Sequence, residues 1–401
     1  MKKINGGVTA PQGFLAAGIN VGVKSGSKKK DLAVIYSVKK GIASAVYTKN
    51  KFKAPPLFVS EENLGNNEAQ AIIVNSGCAN ACTGDQGKTD ALKMTSLTAD
   101  VLGIDAKDII VASTGVIGVY LPMDKIEAGI KEIKNHLSEK GGTDASLAIM
   151  TTDTVNKEFA YEFDLGGKTV KIGGMAKGSG MIHPNMATML GFLTTDAAVS
   201  KDALKDIFKD VIDDTFNMIS VDGDTSTNDM VCILANGEAG NLVIEKNSED
   251  YLKFKNVVRK ICEEMSIAIV NDGEGATKLL TIKVLNALTK DDARKAARSI
   301  STSSLVKTAF FGEDANWGRI ITALGYSGAE IDPSKCDIFL GDLMMAKQGK
   351  AMVFDEDAAL EILKKREIEI VCNLNIGSEN AVAWTCDLSY EYIKINAEYR
   401  S

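Results

Sequence analysis

Residues Gly174 to Ala197, GMAKGSGMIHPNMATMLGFLTTDA, place three polar features directly ahead of an apolar run. They are a lysine among glycines (Lys177, Gly178, Gly180), a His-Pro step (His183, Pro184) and a small residue before a hydroxyl (Ala187, Thr188). Met189, Leu190, Phe192 and Leu193 then read as a buried strand or the start of a helix. The chain therefore enters its core immediately after the Thr188 hydroxyl. Taken alone, such a threonine satisfies a backbone carbonyl or caps an element.

Strand and helix signals alternate along the rest of the chain. Ala33 to Ser37 and Ala43 to Thr48 read as two early strands, antiparallel rather than doubly wound. Ala71 to Asn75 is a short buried strand that ends in the glycine-punctuated loop through Gly84, and a helix of about Thr89 to Leu102 has Leu92, Leu97 and Val101 near one face. Ile109 to Ala112 is a strand running into STGVIG at Ser113 to Gly118. Met123, Ile126, Ile130, Ile133 and Leu137 recur at helical intervals.

Phe159 to Lys171 alternates around Gly166 and Gly167 as a hairpin, and Lys201 to Asp214 is amphipathic through Leu204, Ile207, Phe208, Val211 and Ile212. Ser220 to Asp229, SVDGDTSTND, is polar between apolar flanks. A helix capped by Ser248 carries Leu252, Val257, Val258, Ile261 and Met265, and Ile267 to Asp272 and Thr277 to Leu285 read as strands around Gly273-Glu274-Gly275. Beyond a helix of about Asp291 to Thr308, the tail offers strands at Cys336 to Leu340, Glu367 to Leu374, Ala381 to Leu388 and Tyr390 to Ile395. With no repeat and no long linker, the chain is expected to pack as one or two tightly joined units.

Composition narrows the function classes. A net charge of -7 disfavours nucleic acid or an anionic membrane as the main partner, because both select for clustered Lys and Arg. Lys2 and Lys3 are not followed by an apolar segment, and no run is long enough to span a bilayer, so a cytoplasmic protein is expected. Seven dispersed cysteines fit reduced thiols better than a disulfide framework. Cys78 and Cys82 form a C-x3-C pair, but two histidines in the whole chain do not complete a zinc ligand set. No metal and no cofactor is expected.

Hydride transfer would need G-x-G-x-x-G, phosphoryl transfer G-x4-G-K-[ST], and a serine hydrolase G-x-S-x-G; none occurs. His183 stands five residues before Thr188 and is read either as a base or as a residue that orders its loop. A threonine can dispense with histidine. Attack of the Thr188 hydroxyl on the Ala187 carbonyl turns the amide into an ester, and water then frees the Thr188 amine. With an ordinary pKa of about 8, that amine can act as base for its own hydroxyl.

Lys177 to Thr188, KGSGMIHPNMAT, resembles the self-cleavage segment of the ornithine acetyltransferase (glutamate N-acetyltransferase) family. The similarity extends to the NSGCANACTG loop at Asn75 to Gly84, STGVIG, TTDT at Thr151 to Thr154, VDGDTSTND, NDGEGATK at Asn271 to Lys278, ANWGRI at Ala315 to Ile320 and the last residues, Asn396 to Ser401. Cys78 stands where the family's first loop is expected to have Asn.

The resemblance implies transfer of acetyl from N2-acetylornithine to glutamate through an acetyl-threonine, in arginine biosynthesis, after self-cleavage between Ala187 and Thr188. Thr188 is the implied nucleophile, Thr114 and Gly115 the oxyanion pair, and Thr154, Lys177, Thr188, Glu274, Asn396 and Ser401 the substrate contacts. Thr151 and Thr152 remain alternatives to Thr154. The implied fold is a compact α/β (mixed α+β) assembly of mixed sheets and helices, distantly like N-terminal-nucleophile hydrolases. It divides into an alpha fragment, 1–187, and a beta fragment, 188–401, associating as two pairs. Acetyl-CoA as an additional donor is left open. The alternative is an amidohydrolase or aminopeptidase using the same threonine, with water as the acyl acceptor.

Overall fold

The short apolar runs of this chain become strands because the sheet they enter is covered on both faces. In the computed structural model, which describes residues 1–183 and 189–398, alternate residues of one strand feed two different cores. Ile72 and Val74 belong to one, Ala71 and Ile73 to the other. A strand so placed has no solvent face, so its sequence is an unbroken apolar block rather than an alternation.

The chain divides into two compact units, one of Met1–Gly178, Asn185–Asp213 and Thr225–Met265, the other of Ser179–Pro184, Asp214–Asp224 and Ser266–Ser401. The first carries a sheet of nine described strands: β1 (Lys2–Lys3), β2 (Phe14–Ile19), β3 (Leu32–Tyr47), β4 (Glu68–Cys78), β5 (Ile109–Val116), β6 (Lys157–Leu165), β7 (Lys168–Lys177), β8 (Leu190–Thr195) and, after β9 (Ile219–Ser220) of the second unit, β10 (Met230–Ala235). Their order is β1-β6-β7-β8-β10-β3-β4-β5, with β2 paired to β3. β8 is antiparallel to β7 and parallel to β10, while β4 and β5 are parallel. Among the helices α1 (Pro55–Asn63), α2 (Gly84–Leu102), α3 (Met123–Ile133), α4 (Gly142–Ile149) and α5 (Lys201–Asp214), α2 and α3 close one face of the sheet and α4 the other.

After α6 (Glu249–Asn271), the second unit adds β11 (Leu279–Ala287), β12 (Asp337–Leu340), β13 (Leu343–Lys347), β14 (Lys350–Ala351), β15 (Glu367–Asn373) and β16 (Glu379–Cys386) to β9, in the order β14-β13-β12-β15-β11-β16-β9. Its helices are α7 (Lys290–Thr302), α8 (Ser304–Phe311), α9 (Trp317–Gly325), α10 (Glu356–Leu363) and α11 (Tyr390–Ala397). The mixed α/β class is the one expected. No described helix is long and apolar enough to cross a membrane.

Several expected elements appear as read: the Gly166-Gly167 hairpin, with both glycines at positive φ as a two-residue turn requires, and α5 with its buried Leu204, Ile207, Phe208, Val211 and Ile212. The run after Met189, left open between strand and helix, is the strand β8. Others are corrected. Ala33 to Ser37 and Ala43 to Thr48 are one strand, β3, because a register shift between Tyr36 and Gly41 lets a single strand continue past three exposed residues. Ile267 to Asp272 is helical through Asn271. Ile261, Cys262, Met265, Ser266, Ile269 and Val270 are all buried, so tertiary packing at helical period overrides the local β-branched run.

Tyr390 to Ile395 is also helix, α11. Its alternation imitates a strand, but Ser389 caps it by accepting from the Tyr392 N–H, and none of its residues is buried. The helix expected over Asp291 to Thr308 is two, broken where Ser303 caps α8. α2 begins at Gly84 and turns inward Gly87, Ala91, Met94, Thr95, Thr98 and Ala99, leaving Leu92 44% exposed. Close approach there selects small residues; a Cβ on Gly87 would lie 2.0 Å from the Thr83 hydroxyl oxygen. Ser248 precedes α6, but its hydroxyl has no hydrogen-bond partner.

Candidate functional site

β5 carries Thr114 and Gly115, the residues expected to form an oxyanion pair. Ile109 to Ala112 are fully buried, and the first polar residue after them, Ser113, donates its hydroxyl to Asn75 Oδ1 at 2.6 Å. Asn75 in turn donates to the Cys78 carbonyl at 2.9 Å. Gly115 sits at φ +134, where a Cβ would lie 2.3 Å from the Gly77 carbonyl carbon and 2.6 Å from the Cys78 nitrogen. Only glycine fits, and the turn is pressed against the β4 loop by its own backbone. Thr114 is 9% exposed at the edge of this packing.

The Asn75 to Gly84 loop holds Cys78 as a buried thiol that donates to the Val119 carbonyl at 3.1 Å, and burial raises its pKa. Cys82 is exposed. All seven cysteines are free.

Lys177 ends β7 and is 8% exposed. In register it lies opposite Leu190 of β8, two residues past Thr188 in sequence. Beside it Asp153 accepts from Lys157 Nζ at 2.8 Å, from the Gly178 N–H at 2.7 Å and from the Thr151 N–H at 2.9 Å. Burial alone would raise the Asp153 pKa, but the Lys177 and Lys157 cations and these donors hold it at about 2. Lys157 is 2% exposed, so this is a buried ion network where β6 begins and β7 ends. Of the three candidate threonines, Thr151 and Thr152 are half-buried and Thr154 is exposed.

In the second unit Glu274 and Asn396 are brought together. Glu274 is 8% exposed, its N–H donates to the Ser179 carbonyl at 3.0 Å, and Oε2 accepts from Asn396 Nδ2 at 2.9 Å. The carboxylate lies over Gly180: a Cβ there would be 2.3 Å from Glu274 Oε2. Asn396 reaches it from the last turn of α11, the segment whose helical form the sequence pattern obscured.

His183 does not have the arrangement of a base. Arg298 Nη2 lies 2.9 Å from its Nε2 and Ser220 Oγ 3.3 Å from Nδ1. A guanidinium only donates, so Nε2 accepts and its lone pair is engaged. Burial and the adjacent Arg298 cation lower the pKa to about 4, leaving a neutral imidazole that orders its loop. The Ala187–Thr188 bond, where cleavage is expected, and Ser401 lie outside the described residues.

Sequence reasoning missed four residues that build these surroundings: Asp153, Lys157, Asp222 and Asn228. The first two sit four apart in TTDTVNK, a spacing that signals an ion pair once their burial is known. Asp222 accepts from the Met181 N–H at 2.6 Å and the Ile182 N–H at 2.8 Å, fixing Met181 at φ +54 just ahead of His183. Asn228 is taken up below. Both belong to VDGDTSTND, whose polarity was visible but whose partners were not.

A model of the ArgJ family matches residues 15–401. The chain is 52% identical over 402 residues to the arginine biosynthesis bifunctional protein ArgJ of Symbiobacterium thermophilum, covering 100% of each. It is 48% identical over 405 residues to the protein of the same name from Caldanaerobacter subterraneus subsp. tengcongensis, again covering 100% of each. Among solved structures it is similar to the arginine biosynthesis bifunctional protein argJ from Bacillus halodurans, with 42% identity and a TM-score of 0.51 over 52% of this chain and 98% of that one. By the span of the family match and by identities near one half along its whole length, this chain belongs to the ArgJ family.

Proposed function

We propose that this protein is an arginine-biosynthesis acyltransferase that moves acetyl from N2-acetylornithine to glutamate through an acetyl-threonine on Thr188. The proposed precursor cleaves itself between Ala187 and Thr188 into fragments 1–187 and 188–401. The Thr188 hydroxyl attacks the Ala187 carbonyl, the amide becomes an ester, and water hydrolyses it to an Ala187 carboxylate and a free Thr188 amine. That amine takes the hydroxyl proton as Oγ attacks the acetyl carbonyl. Thr114 and Gly115 donate to the oxyanion, ornithine leaves with the proton, and the glutamate amine takes the acetyl group by the reverse steps.

Lys177 is proposed to hold the carboxylate shared by donor and acceptor, Glu274 and Asn396 the ornithine ammonium, and Thr154 and Ser401 further substrate atoms. The protein is proposed to act in the cytoplasm, its fragments associating as two pairs. Acetyl-CoA as a second donor is favoured by the word bifunctional in the relatives' names.

The observation that carries the reading is the strand register. The strand that starts two residues past Thr188 is hydrogen-bonded on one side to the strand ending in Lys177 and on the other to β10. A second support is size: the Bacillus halodurans chain is matched almost completely by 52% of this one, as a separate beta fragment would be. Intact mass with N-terminal sequencing tests it: a fragment beginning at Thr188, and N-acetylglutamate formed from N2-acetylornithine and glutamate, are expected. Free acetate in place of N-acetylglutamate would favour the amidohydrolase, and a single uncut chain that turns over would refute the free-amine mechanism.

A further inference from the structure

The polar segment Thr225 to Asp229 has no part in the proposed chemistry, yet it is buried and heavily bonded. Thr227, Asn228 and Asp229 are 8%, 5% and 3% exposed. The Thr227 and Asp229 carbonyls accept from the Ala54 and Thr48 N–H groups at 2.9 and 3.0 Å, and the Thr48 hydroxyl donates to the Ser226 carbonyl at 2.9 Å. The segment is thus pinned to the loop that leaves β3. From it Asn228 Nδ2 donates to the Ser113 carbonyl at 2.9 Å and to the Ala79 carbonyl, while Oδ1 accepts from the Thr227 hydroxyl at 2.6 Å. Both amide hydrogens are used, and the Ser113 carbonyl belongs to the peptide that enters Thr114.

Two residues on, the Met230 N–H donates to the Met189 carbonyl at 3.0 Å, and Met189 is the residue after Thr188. Asn228 to Met230 therefore grips, within three residues, the turn that carries Thr114 and Gly115 and the strand that follows Thr188. The β4 side restrains the same turn through Asn75 and Gly77. Asn228 adds a hydrogen bond to that turn from the β10 side.

We infer that Asn228 is a positioning residue: its side-chain amide sets where Thr114 and Gly115 stand relative to the strand that begins behind Thr188. The inference rests on the reading of Thr114 and Gly115 as oxyanion donors. Such donors act only when held where charge develops, and losing one costs about 100- to 1000-fold in kcat. Asn228→Asp keeps the shape and replaces the nitrogen that makes both donations with a carboxylate oxygen facing two carbonyls.

The test compares Thr114→Ala, Asn228→Asp and the pair, each purified as the whole protein, checked by thermal melting and assayed with N2-acetylornithine and glutamate. Folded Asn228→Asp is expected to lose 30- to 100-fold in kcat with KM for N2-acetylornithine unchanged within about threefold. The pair should fall short of the product of the single effects, since both act on one turn. Wild-type kcat in folded Asn228→Asp beside a slow Thr114→Ala overturns the positioning role alone. Wild-type kcat in Thr114→Ala overturns the oxyanion reading itself. Should Asn228→Asp fail to fold, Asn228→Ala removes both donors without adding charge, and a kcat loss under threefold there overturns the inference equally.

Discussion

Two aspartates are buried within the field of Lys177, and they titrate in opposite directions. Asp153 is 4% exposed and Asp229 3%, so burial weighs on both alike. Asp153 accepts from one ammonium and two backbone N–H groups and is held at about 2. Asp229 has a Ser226 contact but an Oδ2 with no partner, and burial drives its pKa well above the ordinary carboxylate range. Lys177 acts on both; Asp153 also has the Lys157 ammonium paired to it, with backbone donors beside it, and Asp229 has no second cation, which decides which form survives burial.

Removing the well-satisfied partner should have the largest effect. Asp153→Ala leaves the Lys157 ammonium in the interior without its carboxylate and is expected to cost about 3–5 kcal/mol, read by urea unfolding. A cost below about 1 kcal/mol would mean that the network is not what retains the charge. Gly115→Ala is a steric control in the same unit. It should slow turnover about 10- to 100-fold, through a displaced turn, while leaving the pH dependence of stability as in the wild type.

The pH dependence separates the two carboxylates by sign. Since the folded pKa of Asp153 lies below its unfolded value, its contribution, on the order of 2 kcal/mol, is complete above about pH 4 and is lost as pH falls toward 2. The raised Asp229 acts in reverse: the folded state keeps a proton that the unfolded chain releases above about pH 4, so stability is lost as pH rises. Melting curves from pH 3 to 8 should therefore show Asp153→Asn weakened at neutral pH and Asp229→Asn no weaker than wild type. Weakening of both at pH 8 would break the contrast.

The smallest effect is expected in the second unit. Asn396→Ala takes one amide from Glu274 and should raise KM for N2-acetylornithine about fivefold, roughly 1 kcal/mol, with melting unchanged.

The strand ending at Ser113 to Gly118 was legible because hydroxyls and glycine directly after a buried apolar run end a strand in a turn, and β5 and Gly115 have that local geometry. Behind Thr188 the apolar run was legible as buried but not as strand or helix; pairing with β7 and β10 decided that it is β8. Where the reading failed, local pattern and packing disagreed: Ile267 to Val270 looks β-branched but turns its buried residues at helical period, and Tyr390 to Ile395 alternates but is capped as a helix. Leu92 was placed with Leu97 and Val101 on one helix face by spacing, yet the face that α2 buries runs through Gly87, Ala91, Met94, Thr95, Thr98 and Ala99.

The family, the α/β class and the candidate residue types were determined by the sequence itself, since they rest on local order: apolar blocks, glycine positions and a long motif around the Ala187–Thr188 bond. What only the tertiary structure decided are relations between distant residues. His183 is a neutral acceptor because Arg298, 115 positions away, donates to it. Asp153 is ionised because strand pairing buries Lys157 and Lys177 beside it. Asn228 reaches Ser113 because β10 and β5 lie in one sheet. Hydrogen bonding and desolvation act through space, and only the folded chain fixes which groups share that space.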